Sequence, residues 1–519
     1  MGIEVKQSIL VHSEASPRCI KSACRIPKSF RSPQHEHLAT HAHITSTRMT
    51  TISGTSAPTG YSSTSFLNDP YIYQVGFGNQ FASEALPGVL PIGQNSPQKN
   101  KYDLYTEGIN GTSFTAPRAL NQRTWFYRIR PSVSHDGFSG NSTQVPDLVS
   151  DFTSANPKVH PYPTQTAWDT FPLPKDDGKI DFMHGLKTIG GLGSATARDG
   201  LAFHLYLANR SMENTAVVNS DGDFLFIPEV GKLDIQTELG RLMVHPGEIA
   251  VVQCGLKFKI GLPDGPSRGY VQEIYGTHFE LPELGPLGAN GMANVRDFEH
   301  PVASFDIDQS NQWEIIYKIA GQFFTCKQGH TPFDVVAWHG NYVPYKYNLE
   351  KFITVGSITK DHTDPSIFCV LTVKSKTPGI CLADFCVLAP RWDVVTKSMR
   401  LPYFHRNIAT EVVGTLKGKQ PGWDALNLHT GFCPHGPSAD AWKEYTVKDL
   451  VSEMIYEGAL LFLLETTTPM LLTEFALKCK EFSDRDVRLW KNLGPNFLNH
   501  IDEANAELKA LGRPLLGQT

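Results

Sequence analysis

The stretch "GDFLFIPEVGKLDIQTELGRLMVHPGEIAVVQCG", from Gly222 to Gly255, limits this chain's fold more than any other feature. Apolar residues alternate through "DFLFIP", "KLDIQTELG" and "RLMVHPGEIAVV", and Gly and Pro punctuate the runs. That pattern predicts consecutive short antiparallel strands joined by tight turns. Similar β-rich runs, "RTWFYRIRPSV", "LAFHLYLA" and "GICLADFCVLAPRWDVV", fill most of the chain after residue 69. Helical periodicity is convincing only near the end, in "FLNHIDEANAELKALG". The most apolar segment, "GALLFLLETTTPMLLTEFALK", is broken by Glu465 and Pro469 and reads as strand, turn, strand, not as a membrane span. The expected class is mainly β: a cupin-like jelly-roll C-terminal domain over 351–519 and a β-rich N-terminal domain over 69–350.

Residues 1–68 are expected to be a disordered tail, because a run rich in Ser, Thr, His and Arg buries too little apolar surface to offset its ordering entropy. Its four histidines, His35, His37, His41 and His43, have no cysteine or acidic cluster beside them and read as a solvated tail. Glu4, Glu14 and Glu36 speak against a presequence, and Met49 is an alternative start. The net charge of -5 gives no basic footprint for nucleic acid or an anionic membrane. Nine cysteines without a tight CxxC pair fit a reducing compartment.

The chemistry is sought in "YFHRNIATEVVG", Tyr403 to Gly414. On a strand, residues an even number apart share a face, so His405 and Glu411 can both point into one barrel; on a helix they would diverge by about 120°. A loop leads from there to "CPHGP", and a returning strand can bring His435 beside them. Two histidines and a carboxylate on a β scaffold make the facial triad of non-haem Fe(II) oxygenases, whereas structural zinc favours four ligands. By itself the spacing is equally compatible with a hydrogen-bonded core histidine and a surface glutamate. Cys433 is the alternative soft ligand, disfavoured because thiols suit O2 chemistry badly. The Pro246–Gly247 turn before an apolar strand is of the kind used in cupin jelly rolls, and residues 215–275 and 400–475 look like two such regions.

Seven longer motifs resolve the ambiguity by resemblance. In order they are "GFGNQFASEALPGVLPIGQNSPQ", "LYTEGINGTSFTAPR", "TWFYRIRPSVSH", "SMENTAVVNSDGDFL", "YGTHFELPELGPLGANGMANVRDF", "DVVAWHGNYVPYKYNLEKF" and "DHTDPSIFCVLTVKS". Together, from about Tyr71 to about Leu489, the chain resembles the homogentisate 1,2-dioxygenases. The resemblance implies Fe(II), a small aromatic substrate cleaved with O2, tyrosine and phenylalanine catabolism, a cytoplasmic location, and a homohexamer built as a dimer of trimers. Position by position it implies His405, Glu411 and His435 as iron ligands, His362 as catalytic acid/base, and substrate contacts from His429 and His435. Asn407, on the face expected for His405, is a further candidate for substrate contact. An imidazole suits the His362 role because its pKa lies near working pH; the structural alternative is a ring satisfied by Asp361 or Asp364. "WHGN" (Trp338–Asn341) and "NSDGDF" read as packing or subunit-surface elements.

The resemblance also departs from pattern. The family usually places a substrate-contacting tyrosine between the carboxylate ligand and the last histidine. None lies between Glu411 and His435 here, and "IATEVVG" stands where "MSE", an aromatic and "MG" are usual. Losing one buried hydroxyl partner costs about 1–3 kcal/mol of binding unless another group replaces it; Trp423 in that loop offers an indole N–H or a stacking face. The alternatives this raises are a paralogue that cleaves another hydroquinone-type aromatic such as gentisate, and a non-catalytic metal-binding cupin.

Overall fold

The alternating stretch folds as four strands, Gly222–Val230, Leu233–Thr237, Gly240–Val244 and Glu248–Val252. The predicted turn ahead of the last strand is made at Gly247, whose φ of 93° lies where only glycine is at ease. The computed structural model describes residues 51–53, 69–140, 145–175, 178–285, 288, 291–356, 358–400, 402–418, 425–483 and 487–517. The class is mainly β, with a separate sheet in the C-terminal part. A ten-stranded and a seven-stranded sheet carry most of the first half, and a second seven-stranded sheet carries the last third. The terminal helix is Ile501–Ala510, and the apolar segment makes the strands Leu460–Thr466 and Leu471–Thr473. No described helix is long and apolar enough to cross a membrane. Within the expected tail, Thr51–Ser53 departs from expectation by pairing with Ser304–Asp306; the remainder of 1–68, with its histidines, lies outside the described residues.

The C-terminal sheet orders its strands as Cys369–Lys374, Cys381–Leu388, Leu460–Thr466, Thr410–Lys417, Leu426–His429, Thr166–Trp168 and Phe482–Ser483. One strand is therefore supplied from far upstream, with Thr166 opposite Leu428 and Trp168 opposite Leu426. Trp168 is fully buried, and its indole N–H donates to the Ala476 carbonyl at 2.8 Å. The exchange is mutual: Leu471 and Leu472 pair with Gly191 and Gly190 in the ten-stranded sheet. A Cβ at Gly190 would lie 2.8 Å from the Leu471 carbonyl oxygen, so this close approach requires glycine. The halves expected as 69–350 and 351–519 thus each complete a sheet of the other.

Period-two alternation sorts the C-terminal sheet into two faces. Val412, Leu416, Leu464, Phe462, Phe385 and Leu428 join the large apolar cluster shared with the first half. Val413, Leu461, Leu463, Cys369 and Cys386 form a smaller cluster on the opposite face. Each Leu or Phe buried this way contributes about 1.5–3 kcal/mol. The second face holds the candidate site.

The "NSDGDF" and "WHGN" stretches do structural work. Lys318, fully buried, reaches Asp221 at 2.6 Å and Glu273 at 2.7 Å. Asp223 pairs with His278 at 3.0 Å. Trp338 is buried and donates to the Leu239 carbonyl at 2.8 Å.

Candidate metal centre

On the second face of the C-terminal sheet, one cross-strand row is polar throughout. Thr372 lies opposite Asp384, Asp384 opposite Glu465, Glu465 opposite Glu411, and Glu411 opposite His429. Glu411 is the second residue of the strand Thr410–Lys417, which makes its side-chain direction a property of the ladder.

His405 reaches the same place by a route that strand alternation does not describe. It is not on that strand. It forms an isolated antiparallel bridge with His435, each N–H donating to the other's carbonyl at 2.9 and 3.1 Å. The bridge, not a shared strand face, brings the two imidazoles within 4.1 Å of each other, centroid to centroid. Gly436 permits it, since a Cβ there would lie 2.7 Å from the Phe404 ring.

The two rings are turned alike. His405 Nδ1 lies 2.8 Å from the Tyr403 carbonyl and His435 Nδ1 lies 2.9 Å from the Cys433 carbonyl. A carbonyl only accepts, so in each neutral ring the proton sits on Nδ1 and the Nε2 lone pair points elsewhere. Both lone pairs point at Glu411: His405 Nε2 is 3.8 Å from Oε1 and His435 Nε2 is 3.3 Å from Oε2. Two nitrogen lone pairs facing a carboxylate repel unless a cation lies between them. Burial alone would raise the Glu411 carboxyl, but the three imidazoles around it, His405, His429 and His435, outweigh burial and hold the group well below the usual carboxylate range. The Glu411 carboxylate raises His405 above its ordinary value against the opposing effect of burial. Glu465, buried and facing the charges of Glu411 and Asp384, is pushed up to about 7.

The three candidate ligand atoms lie within 4.8 Å of one another, and no other such group of His, Cys, Asp or Glu exists among the described residues. Histidines with Nδ1–H on backbone carbonyls and Nε2 free to coordinate are the usual outer-shell arrangement of a metal site. The donor set of two imidazoles and one carboxylate fits Fe(II). Cys433 keeps its thiol against the Pro434 carbonyl at 4.0 Å and stands outside this group.

The other sequence candidates take different positions. Asn407 Nδ2 donates to Glu411 Oε1 at 2.6 Å, so its contact is with the candidate ligand. His429 lies against His435 with ring centroids 4.2 Å apart and the rings tilted by 40°, and its Nδ1 is 3.6 Å from Glu411 Oε2. Burial holds it below its ordinary value, more strongly than Glu411 raises it. His362 lies farther out. Its ring meets Tyr403 at 5.8 Å, and Tyr403 meets His405 at 5.6 Å. His362 Nε2 is buried with no hydrogen-bond partner among the described residues. Asp364 instead accepts from the Ser366 N–H and caps the short helix Pro365–Phe368. The loop at 419–424, with Trp423, lies outside the described residues.

Two participants escaped the sequence reading. Glu465 had appeared only as a break in an apolar run. Gln165, with Nε2 2.6 Å from His429 Nε2, comes from the upstream strand region and carries no motif signal. Beside His405 and His435 opens a cavity of about 500 Å³, lined also by Phe404, Arg406, Pro434, Trp490 and Leu493.

Comparison with known proteins decides the family. Residues 72–349 match the profile described as homogentisate 1,2-dioxygenase N-terminal, and residues 350–497 match its C-terminal counterpart. The chain belongs to the homogentisate 1,2-dioxygenase family. Relatives of that name include one from Caenorhabditis elegans, 46% identical over 417 residues, covering 79% of this chain and 94% of the relative. Another, from Arabidopsis thaliana, is 45% identical over 444 residues, covering 84% and 95% respectively. The Homo sapiens relative is 44% identical over 437 residues, covering 82% and 96%. For a member of the homogentisate 1,2-dioxygenase family, the His405–Glu411–His435 cluster is the feature whose chemistry matches the name.

Proposed function

We propose that this chain is an Fe(II)-dependent ring-cleaving dioxygenase that converts homogentisate and O2 to maleylacetoacetate, with His405, Glu411 and His435 as the iron ligands. The observation that carries this reading is the pair of Nε2 lone pairs turned onto one carboxylate. Fe(II), when bound there, supplies Lewis acidity and redox chemistry toward O2. The chain's own residues do the rest. Asn407 donates to one oxygen of Glu411 and His429 faces the other, and Phe404, Pro434 and Trp490 give the cavity beside them its apolar lining. His362, with an unpartnered Nε2, takes the proton of the ring hydroxyl, and His429 and His435 contact the substrate. Cleavage falls between the ring carbons bearing the side chain and the neighbouring hydroxyl.

The finer assignments belong to the same proposal. The chain acts in tyrosine and phenylalanine catabolism, in the cytoplasm, as a homohexamer made of two trimers. Free thiols at Cys254, Cys326, Cys369, Cys381, Cys386 and Cys479 support a reducing compartment, and exposed Ile92, Phe114 and Val133 offer apolar surface for contact between copies. The domain limits at residues 68 and 350 stand with it.

The absence of a tyrosine between Glu411 and His435 favours a second reading, in which the same centre cleaves another hydroquinone-type acid such as gentisate. Anaerobic loading with Fe(II), then homogentisate and air, tests both. O2 uptake and a ring-opened chromophore, both lost in Glu411→Ala and His435→Ala, are expected. Stoichiometric iron without homogentisate turnover would overturn the substrate, and a panel of gentisate and hydroquinones would then locate it.

A further inference from the structure

Gln165 is 264 positions away from His429 in sequence, yet their side chains meet at 2.6 Å. It directly precedes the strand Thr166–Trp168, which the first half lends to the C-terminal sheet. His429 is 5% exposed, so its two ring nitrogens have few partners to choose from. A neutral imidazole carries one donor and one acceptor nitrogen. The Gln165 carboxamide nitrogen only donates, so His429 Nε2 accepts and the proton sits on Nδ1. Nδ1 is the nitrogen that faces Glu411 Oε2 at 3.6 Å. The opposite tautomer would set a lone pair against the carboxylate. With Asn407 Nδ2 on Oε1 at 2.6 Å, a neutral donor then faces each oxygen of Glu411.

We propose that Gln165 is a positioning residue for the metal centre: it locks His429 in the Nδ1–H tautomer, and His429 thereby fixes the orientation of the Glu411 carboxylate. The inference rests on the reading of Glu411 as a metal ligand. It makes the site a joint product of the two halves, since the residue that sets the tautomer and the residues that hold the metal belong to different ones. Loss of an outer-shell partner that orients a ligand in this way weakens metal binding about 10–100-fold.

Two substitutions in the full chain separate this role from mere packing. Gln165→Glu keeps the shape but replaces the donor with an acceptor, which demands a proton on His429 Nε2; in the neutral ring Nδ1 then carries none. Gln165→Leu removes the hydrogen bond without reversing it. A positioning role orders the damage as Glu worse than Leu; a packing role orders it the other way, because Glu is the isostere. The first readout is independent of activity: long-range 15N–1H correlation of histidine-labelled protein, with thermal melting as the fold control. Wild type is expected to show His429 protonated on Nδ1, and Gln165→Glu on Nε2. Titration with Co(II) should then show binding about 10–100-fold weaker in Gln165→Glu and less weakened in Gln165→Leu. A wild-type His429 protonated on Nε2, or Gln165→Glu binding Co(II) within about twofold of wild type, overturns the proposal. Failure of the functional reading looks different: wild type itself would bind no Co(II), whatever the tautomer.

Discussion

Glu411 stands directly between His429 on one neighbouring strand and Glu465 on the other, so a single ladder position joins a candidate metal ligand to a base on one side and an acid on the other. The same row explains why the carboxylate is held ionised while its neighbour is pushed toward neutrality: three imidazoles serve Glu411, and Glu465 faces its charge without comparable help.

Removing the Glu411 charge should therefore cost the metal first. In Glu411→Gln, Fe(II) or Co(II) affinity is expected to fall by more than the roughly 10–100-fold typical of outer-shell changes, with the fold intact by circular dichroism. Unchanged affinity by anaerobic titration would remove Glu411 from the ligand set.

His362 predicts the opposite split. It touches no member of the trio, so His362→Gln should leave bound iron stoichiometric while kcat falls roughly 100- to 10,000-fold, the range for loss of a general acid/base. Metal analysis beside steady-state O2 uptake checks both halves. Iron loss in this variant would mean that the loop supports the centre and does not serve as its acid/base.

Lys318 is a test of stability remote from the site. It is fully buried between Asp221 and Glu273. Lys318→Met strands both carboxylates and should cost about 3–5 kcal/mol in chemical denaturation. The double change Lys318→Met with Glu273→Gln should recover part of that cost.

A pH signature follows from His278. Burial opposes its charge, but Asp223 and the Gly111 carbonyl outweigh burial and push it up to about 9 from an ordinary 6.5. Because the folded value is the higher one, the proton stabilises the fold fully below pH 6.5, and that contribution is lost as pH rises through 9. Wild type should lose up to about 3 kcal/mol across this window that His278→Gln does not lose. Parallel urea titrations at the two ends would show it; identical slopes in both proteins would refute it.

What could be read from sequence was what local physics controls. The hairpins of 222–252 follow from alternation and Gly/Pro punctuation, and the helix Ile501–Ala510 from its periodicity. The structure brings the trio together, but not through a strand face shared by His405 and Glu411, because residues 406–409 leave the ladder and the link runs through the bridge to His435. That bridge depends on chain reversal thirty residues away, which no spacing encodes. Gln165 and the three-residue strand after it were invisible for the same reason: a strand so short has no periodicity, and its partner lies more than two hundred residues downstream. The type and parity of Asn407 suggest a substrate contact, and no spacing discloses the hydrogen bond it makes to Glu411.

The borrowed strand also bears on how the protein comes into being. Thr166–Trp168 leaves the ribosome long before Leu426–His429 exists to receive it, so the first half must hold a place open in a sheet not yet made. A truncated chain beginning near residue 350 would expose the Leu426–His429 edge, unpaired and apolar, as a template for another molecule's strand. The splice between the two halves is thus also the point at which proteolytic loss of the first half would turn the C-terminal sheet into an aggregation seed.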